Sequence, residues 1–218
     1  MPKTALFDLD YTLIGIDSDH AWGDYLCQLG KVDGAWYKAQ NDQFYADYRA
    51  GRLDMQAFLA FSLKPLGELP WDELQALRED FMRLHGRPHM LPKAVALVRE
   101  HQAHGERTAI VTATNEFVTR PFADAFGVER LLATGLETKE GRPTGRPLGT
   151  PCFREGKIEH VQAWLDGFGG KLADCCFYSD SHNDLPLLSA VGRPVAVDPD
   201  PTLRAEAQAR GWELISLR

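Results

Sequence analysis

Four short apolar runs, at residues 4–9, 108–111, 175–179 and 194–197, are separated by amphipathic stretches, and this rhythm constrains the chain more than any other feature. Each run is of strand length, and the first contains neither Gly nor Pro. The intervening text has helical spacing. Residues 92–104 place Ala94, Val95, Leu97 and Val98 on one face and end before Gly105, while residues 158–168 do the same with Ile158, Val161, Trp164 and Leu165. Two further helices are expected at 184–191 and 201–210. Fully apolar strands alternating with amphipathic helices predict an α/β fold, a doubly wound parallel sheet covered on both faces.

About a hundred residues separate the first two runs, far more than one crossover needs. From 18 to 87 the sequence is helix-like and rich in aromatic residues, Trp22, Phe44 and Tyr45 among them. The expected organisation is therefore a Rossmann-like core at 1–15 and 89–218 with an inserted helical cap domain at 16–88. Gly and Pro recur through 134–153, which predicts a hairpin or flap.

Composition narrows the function classes. A net charge of −7 over 218 residues, with scattered Lys and Arg, argues against nucleic-acid binding. No apolar run is long enough to cross a bilayer and no signal pattern opens the chain, so no membrane partner is expected and the expected location is cytoplasmic. Cys27, Cys152, Cys175 and Cys176 lack metal-site spacing and read as buried free thiols, the adjacent pair pointing to opposite faces of a strand.

The chemistry concentrates where strands end. Asp8 and Asp10, in Phe7-Asp8-Leu9-Asp10-Tyr11-Thr12, share one opening if the pleat continues past the first strand. Two such carboxylates imply a shared proton or a cation between them, and oxygen-only ligands favour Mg²⁺ over zinc. The plain alternative is a solvated turn. Ser179-Asp180-Ser181-His182-Asn183-Asp184 follows another strand, where Asn183 or Asp184 could simply cap the next helix. Val111-Thr112-Ala113-Thr114-Asn115 ends a third strand in hydroxyl and amide groups suited to an oxyanion, and Lys157 could set a positive charge on the same anion.

These four elements, in this order, resemble the motifs of the haloacid dehalogenase superfamily, in the capped branch that contains phosphoserine phosphatases. Asp8, Asp10 and Thr12 match the first motif, Thr112 the second, Lys157 the third, and Asp180 with Asp184 the fourth. Ser179 departs from the pattern, many relatives having Gly there. The resemblance implies an enzyme, a Mg²⁺-dependent phosphomonoesterase working through an aspartyl-phosphate. Asp8 would be the nucleophile and Asp10 the general acid and base. Mg²⁺ would be held by Asp8, Asp180 and the Asp10 carbonyl, with Asp184 supporting them from behind. Thr112, the Ala113 N–H, Lys157 and Asn183 would bind the phosphoryl oxygens.

A closing cap limits the substrate to a small phosphorylated metabolite. By the same resemblance, Asp17 would hold a substrate amine, and Arg49 or Arg52 a carboxylate if the substrate has one. The text Asp17-Ser18-Asp19-His20-Ala21-Trp22 also resembles bacterial members assigned to histidinol phosphate, whose imidazole could stack on Trp22, Phe44 or Tyr45. Histidinol phosphate ranks first, with phosphoserine or another amino-alcohol phosphate as the alternative. A non-catalytic protein that binds a phosphorylated metabolite is the alternative of another class.

Overall fold

The structure is a computed structural model that describes residues 4–218. Seven strands form one sheet: β1 (Thr4–Phe7), β2 (Arg107–Asn115), β3 (Arg130–Lys139), β4 (Arg142–Leu148), β5 (Cys175–Ser179), β6 (Arg193–Val197) and β7 (Glu213–Ile215). Their order is β4-β3-β2-β1-β5-β6-β7, so the chain winds outward from β1 first to one side and then to the other. Leu6 of β1 pairs with Ala109 on one flank and Phe177 on the other, both parallel.

Alternation along the strands divides the core into two layers. Ala5, Phe7, Ile110, Cys176 and Tyr178 face one side, where α6 (Pro92–Ala103) and α7 (Glu116–Phe126) cover them with Val98, Phe117 and Phe122. Leu6, Val111, Cys175 and Phe177 face the other, under α8 (Glu155–Asp166), α9 (Leu185–Ala190) and α10 (Pro201–Arg210). The two adjacent cysteines thus point to opposite faces. Cys152, Cys175 and Cys176 are buried free thiols, whereas Cys27 is half-buried.

Three features differ from the sequence expectation. The sheet is not wholly parallel, because β4 folds back antiparallel on β3 through Glu140 and Gly141, both at positive φ (53° and 76°), as a two-residue hairpin turn requires. The strand β7 is three residues long and carries no periodic signal. The helix α8 begins at Glu155 rather than at Ile158, because Arg154 takes φ 49° and ψ −118° and turns the chain sharply into it.

Between β1 and α6 lie α1 (Ser18–Gln28), α2 (Gly34–Arg49), α3 (Met55–Ser62), α4 (Lys64–Glu68) and α5 (Trp71–Phe81). Asp17 caps α1 by accepting from the His20 N–H, and Asp54 caps α3 from Gln56 and Ala57. Trp22, Tyr25, Leu26, Leu74 and Phe81 join the same apolar cluster as Phe7 and Ile110, so the insert shares a core with one face of the sheet. Trp22 belongs to that core. It is packed against Phe81 and Phe117 and cannot meet a substrate, which corrects its candidacy as a stacking ring. At the far end α4 lies against the β3–β4 hairpin so closely that a Cβ on Gly67 would stand 2.5 Å from the Thr144 carbonyl oxygen. Among the described residues no helix is long and apolar enough to cross a membrane.

Candidate active site

The reversal of winding leaves a crevice beyond the carboxyl end of β1, flanked by the ends of β2 and β5. Asp8 stands there. Its N–H still pairs with the Tyr178 carbonyl (2.9 Å), so the residue is held as an extension of the strand while its carboxylate enters the crevice. Tyr11, at φ 56°, then turns the chain back and brings Thr12 beneath Asp8. The Thr12 hydroxyl accepts from the Asp180 N–H (3.0 Å) and lies 3.2 Å from Asp180 Oδ1 and 3.4 Å from Asp8 Oδ2, its one proton serving either carboxylate.

Lys157, in the first turn of α8, is 2% exposed and donates to both Asp8 (2.7 Å) and Asp184 (2.8 Å). Burial alone would lower its pKa, but Asp184 and Asp8 outweigh that and hold it above the ordinary lysine value. The Ser179 hydroxyl donates to Asp184 (2.7 Å), so the residue that departs from the family pattern supports the acid behind the lysine. Asp184 does stand at the start of α9, yet its carboxylate makes no cap hydrogen bond and is committed to Lys157 and Ser179. The capping alternative therefore fails for Asp184. Asn183 makes no cap either, because its side-chain Oδ1 accepts from Arg154.

Between Val111 and Asn115 the β2–β3 ladder loses register, and Thr112, Ala113 and Thr114 bulge toward the crevice. Thr114 Oγ1 meets Asp10 Oδ2 (2.9 Å), and the Ser18 N–H donates to Asp10 Oδ1 (2.7 Å). Burial, then Asp17 and Asp8 nearby, holds the Asp10 carboxyl well above the usual carboxylate range. Burial likewise pushes Asp8 up to about 6, with the Lys157 ammonium limiting the rise. Asp180 is raised well above its ordinary value by burial, Asp8 and Asp184. No Lys or Arg of the described residues ion-pairs with Asp180, and Asp8 and Asp184 share a single ammonium. Such an excess of negative charge on oxygen-only donors fits a hard divalent cation.

Above Asp8 and Asp10 the insert closes a cavity of about 40 Å³, walled by Asp17, Asp19, Phe44, Tyr45, Met55 and Phe58 together with Thr112 to Thr114. The structure thus brings Asp8, Asp10, Asp17, Thr112 and Ala113 to one cavity, with Lys157, Asp180 and Asp184 around its floor. Asn183 is diverted. Its Oδ1 accepts from Arg154 (3.1 and 3.2 Å) and its Nδ2 donates to the Tyr48 carbonyl (3.1 Å), so its amide ties the insert to the core and does not face the cavity. Arg49 is exposed and bonds the Tyr45 hydroxyl outside the cavity (3.3 Å). Arg52 is not brought in at all, because it lies on the surface paired with Asp47.

Sequence reasoning passed over Asp19, Thr114 and Arg154. Thr114 was legible as the second hydroxyl of Thr112-Ala113-Thr114. Arg154, which donates to the Gly51 carbonyl of the insert as well as to Asn183, carried no signal, because a positive φ outside glycine cannot be read from text.

The family model for haloacid dehalogenase-like hydrolases matches residues 5–189. The chain belongs to the haloacid dehalogenase-like hydrolases. It is 45% identical to the histidinol-phosphatase of Neisseria meningitidis serogroup C, over the full length of both chains. It is 33% identical to the phosphoserine phosphatase SerB1 of Mycobacterium tuberculosis, with all of this chain and 72% of that one aligned. The crystal structure of a protein of unknown function from Bordetella pertussis Tohama I superposes with a TM-score of 0.93 at 48% identity over both whole chains. A phosphoserine phosphatase solved as a phospho-aspartyl intermediate analogue shares the fold, with a TM-score of 0.73 at 18% identity, covering all of this chain and 94% of that one. This haloacid dehalogenase-like hydrolase is accordingly a phosphatase, with the expected α/β core and helical insert.

Proposed function

We propose that this phosphatase hydrolyses histidinol phosphate, through an aspartyl-phosphate on Asp8 and with Mg²⁺ as its metal. The observation that carries the substrate is the charge of the cavity. It presents Asp17 and Asp19 beside aromatic rings, and no Lys or Arg of the described residues lines it. Phosphoserine would set its carboxylate against those two acids without a compensating cation, a costly burial. A leaving alcohol that carries an amine and an imidazole, and no carboxylate, suits the same walls. The full-length likeness to the Neisseria histidinol-phosphatase supports this reading.

In this reading Asp8 attacks phosphorus in line. Phosphoryl transfer depends chiefly on positioning and charge neutralisation, which Lys157 provides from the side of Asp8. Asp8, Asp180 and the Asp10 carbonyl would hold Mg²⁺, which when bound supplies the further positive charge that a phosphate dianion facing carboxylates requires. Asp10, protonated and fixed by Ser18 and Thr114, gives its proton to the departing alkoxide. It later takes one from the water that releases phosphate from Asp8. Thr112 and the Ala113 N–H would bind the phosphoryl oxygens, a role supported by the loss of ladder register between Val111 and Asn115.

About 40 Å³ is room for roughly three waters, and in this reading α2 and α3 move outward to admit histidinol phosphate. That motion breaks hydrogen bonds from Arg154 to Gly51, from Asn183 to Tyr48 and between Tyr11 and Tyr45, and so releases the Asn183 amide toward the phosphate. The test is kcat/KM with Mg²⁺ for histidinol phosphate, phosphoserine and phosphoethanolamine. Histidinol phosphate is expected to lead. A lead by phosphoserine or by a sugar phosphate would defeat the proposal.

A further inference from the structure

Asp19 is the feature of the cavity that the reaction leaves unexplained. An acid in the first turn of a helix is ordinarily accounted for by the N-terminal dipole or by capping. Neither account fits here. Asp17 already caps α1 through the His20 N–H, and a dipole partner has no reason to be buried, yet Asp19 is only 8% exposed. No described residue donates a hydrogen bond to its carboxylate or forms an ion pair with it. Asn41 gives its amide to the His20 carbonyl (2.9 Å), the His20 ring turns outward to Asp42 (2.9 Å), and the buried Ser18 hydroxyl and Trp22 indole N–H make no hydrogen bond to the Asp19 carboxylate or to any other group. Burial, and after it the charge of Asp17, pushes the Asp19 carboxyl up to about 7.

A buried acid with no protein partner, in the wall of a substrate cavity, costs stability that a bound ligand group can return. That ligand group must be an N–H donor or a cation. It must also be a second one, because Asp17 stands two residues away in the same wall with one oxygen held by the cap and the other available for an amine. The remaining wall of the cavity includes Phe44, Met55 and Phe58, which suits a flat ring whose edge carries the N–H.

We infer that Asp19 determines leaving-group specificity by accepting the ring N–H of the imidazole, while Asp17 takes the amine, so that the cavity is a two-point receptor for an alcohol with two nitrogen donors. The inference rests on the proposed function and adds to it the residue that separates an imidazole-bearing amino alcohol from a simple amino alcohol. Its chemistry holds whether the pair is neutral imidazole with carboxylate or imidazolium with carboxylate, since the N–H donates in both.

The test compares histidinol phosphate with phosphoethanolamine, which keeps the amine and lacks the ring, in wild type, Asp19→Asn and Asp17→Asn. The ratio of the two kcat/KM values is expected to fall by about 10- to 100-fold in Asp19→Asn, the range for one charged hydrogen bond. In Asp17→Asn it should stay within about threefold, because both substrates lose the same amine contact. A second readout uses free histidinol and ethanolamine as inhibitors of aryl phosphate hydrolysis, with the histidinol inhibition constant rising about tenfold or more in Asp19→Asn. Equal proportional losses for both substrates in Asp19→Asn, with unchanged inhibition by histidinol, would overturn the role of Asp19 and leave the substrate standing. A wild-type enzyme that prefers phosphoserine or phosphoethanolamine to histidinol phosphate would overturn the substrate itself, and the role of Asp19 with it.

Discussion

Replacing Asp19 by Asn should make the protein more stable at neutral pH. The side chains are nearly isosteric, so the packing of the cavity wall is retained while the buried charge is removed. The Asp19 carboxyl rises from an ordinary 3.8 to about 7 in the folded protein, a shift of about three units at about 1.4 kcal/mol each. A carboxyl raised on folding leaves stability intact below its unfolded value and removes it as pH climbs through the folded value. The wild type should therefore lose up to about 4 kcal/mol relative to the Asn variant between pH 4 and pH 8, with most of the change complete near pH 7. For a chain of this size that is up to about 8–16 °C in Tm. Urea unfolding of both proteins in excess chelator at pH 4, 6 and 8 measures the difference directly. Parallel pH dependences, or an Asn variant that is the weaker at pH 8, would mean that Asp19 has a partner in the folded state and that the reasoning is wrong.

Other consequences follow from the ion pairs and tethers. Lys157→Met leaves Asp8 and Asp184 buried without their shared ammonium and should cost about 3–5 kcal/mol in the same assay, along with at least about a hundredfold in kcat; an unchanged urea midpoint would refute the structural part. Asp10→Asn keeps its hydrogen bond from Ser18 but cannot deliver a proton. It should lower kcat by about 10²–10⁴ for histidinol phosphate and distinctly less for an activated aryl phosphate, and equal losses would rule out proton delivery. Arg154→Gly removes the strap to Gly51 and relieves a backbone conformation that only glycine adopts at ease. Hydrogen exchange at 50–52 should quicken about tenfold, whereas unchanged protection would show that Arg154 holds nothing closed.

The strands were legible because burial on both faces leaves continuous apolar text. Residues 175–179 are β5 to the residue, and the runs at 4–9 and 194–197 miss β1 and β6 only at their ends. β7 escaped because three residues cannot display a period, and the antiparallel turn of β4 because a Gly- and Pro-rich stretch announces a hairpin without saying on which edge it lies. The insert was recognisable as helical, yet its five α-helices were not separable, since aromatic residues there serve two purposes that look alike in text. Trp22 fills the core, whereas Phe44 lines the cavity.

Within the site, residues that bond across the sheet ends were marked by their position after strands, as Asp8, Asp10 and Asp180 were. Contacts made across the gap between insert and core were not. Asn183 spends its amide on Arg154 and Tyr48, and Arg52 pairs with Asp47 on the surface, because both depend on how helices pack rather than on local pattern. Asp19 hid behind an explanation that was locally sufficient, an acid at a helix start. Only its burial, and the lack of any partner among the described residues, distinguishes it from a dipole acid.

The central claim is that Asp8 takes the phosphoryl group of histidinol phosphate. A single-turnover quench followed by trapping with tritiated borohydride, which reduces the aspartyl-phosphate to homoserine with loss of phosphate and leaves tritium on the chain, tests it most directly when the labelled peptide is identified by mass. Tritium is expected on the peptide carrying Asp8 in the wild type and none in Asp8→Asn. Label on another residue, or turnover of histidinol phosphate by Asp8→Asn, would contradict it.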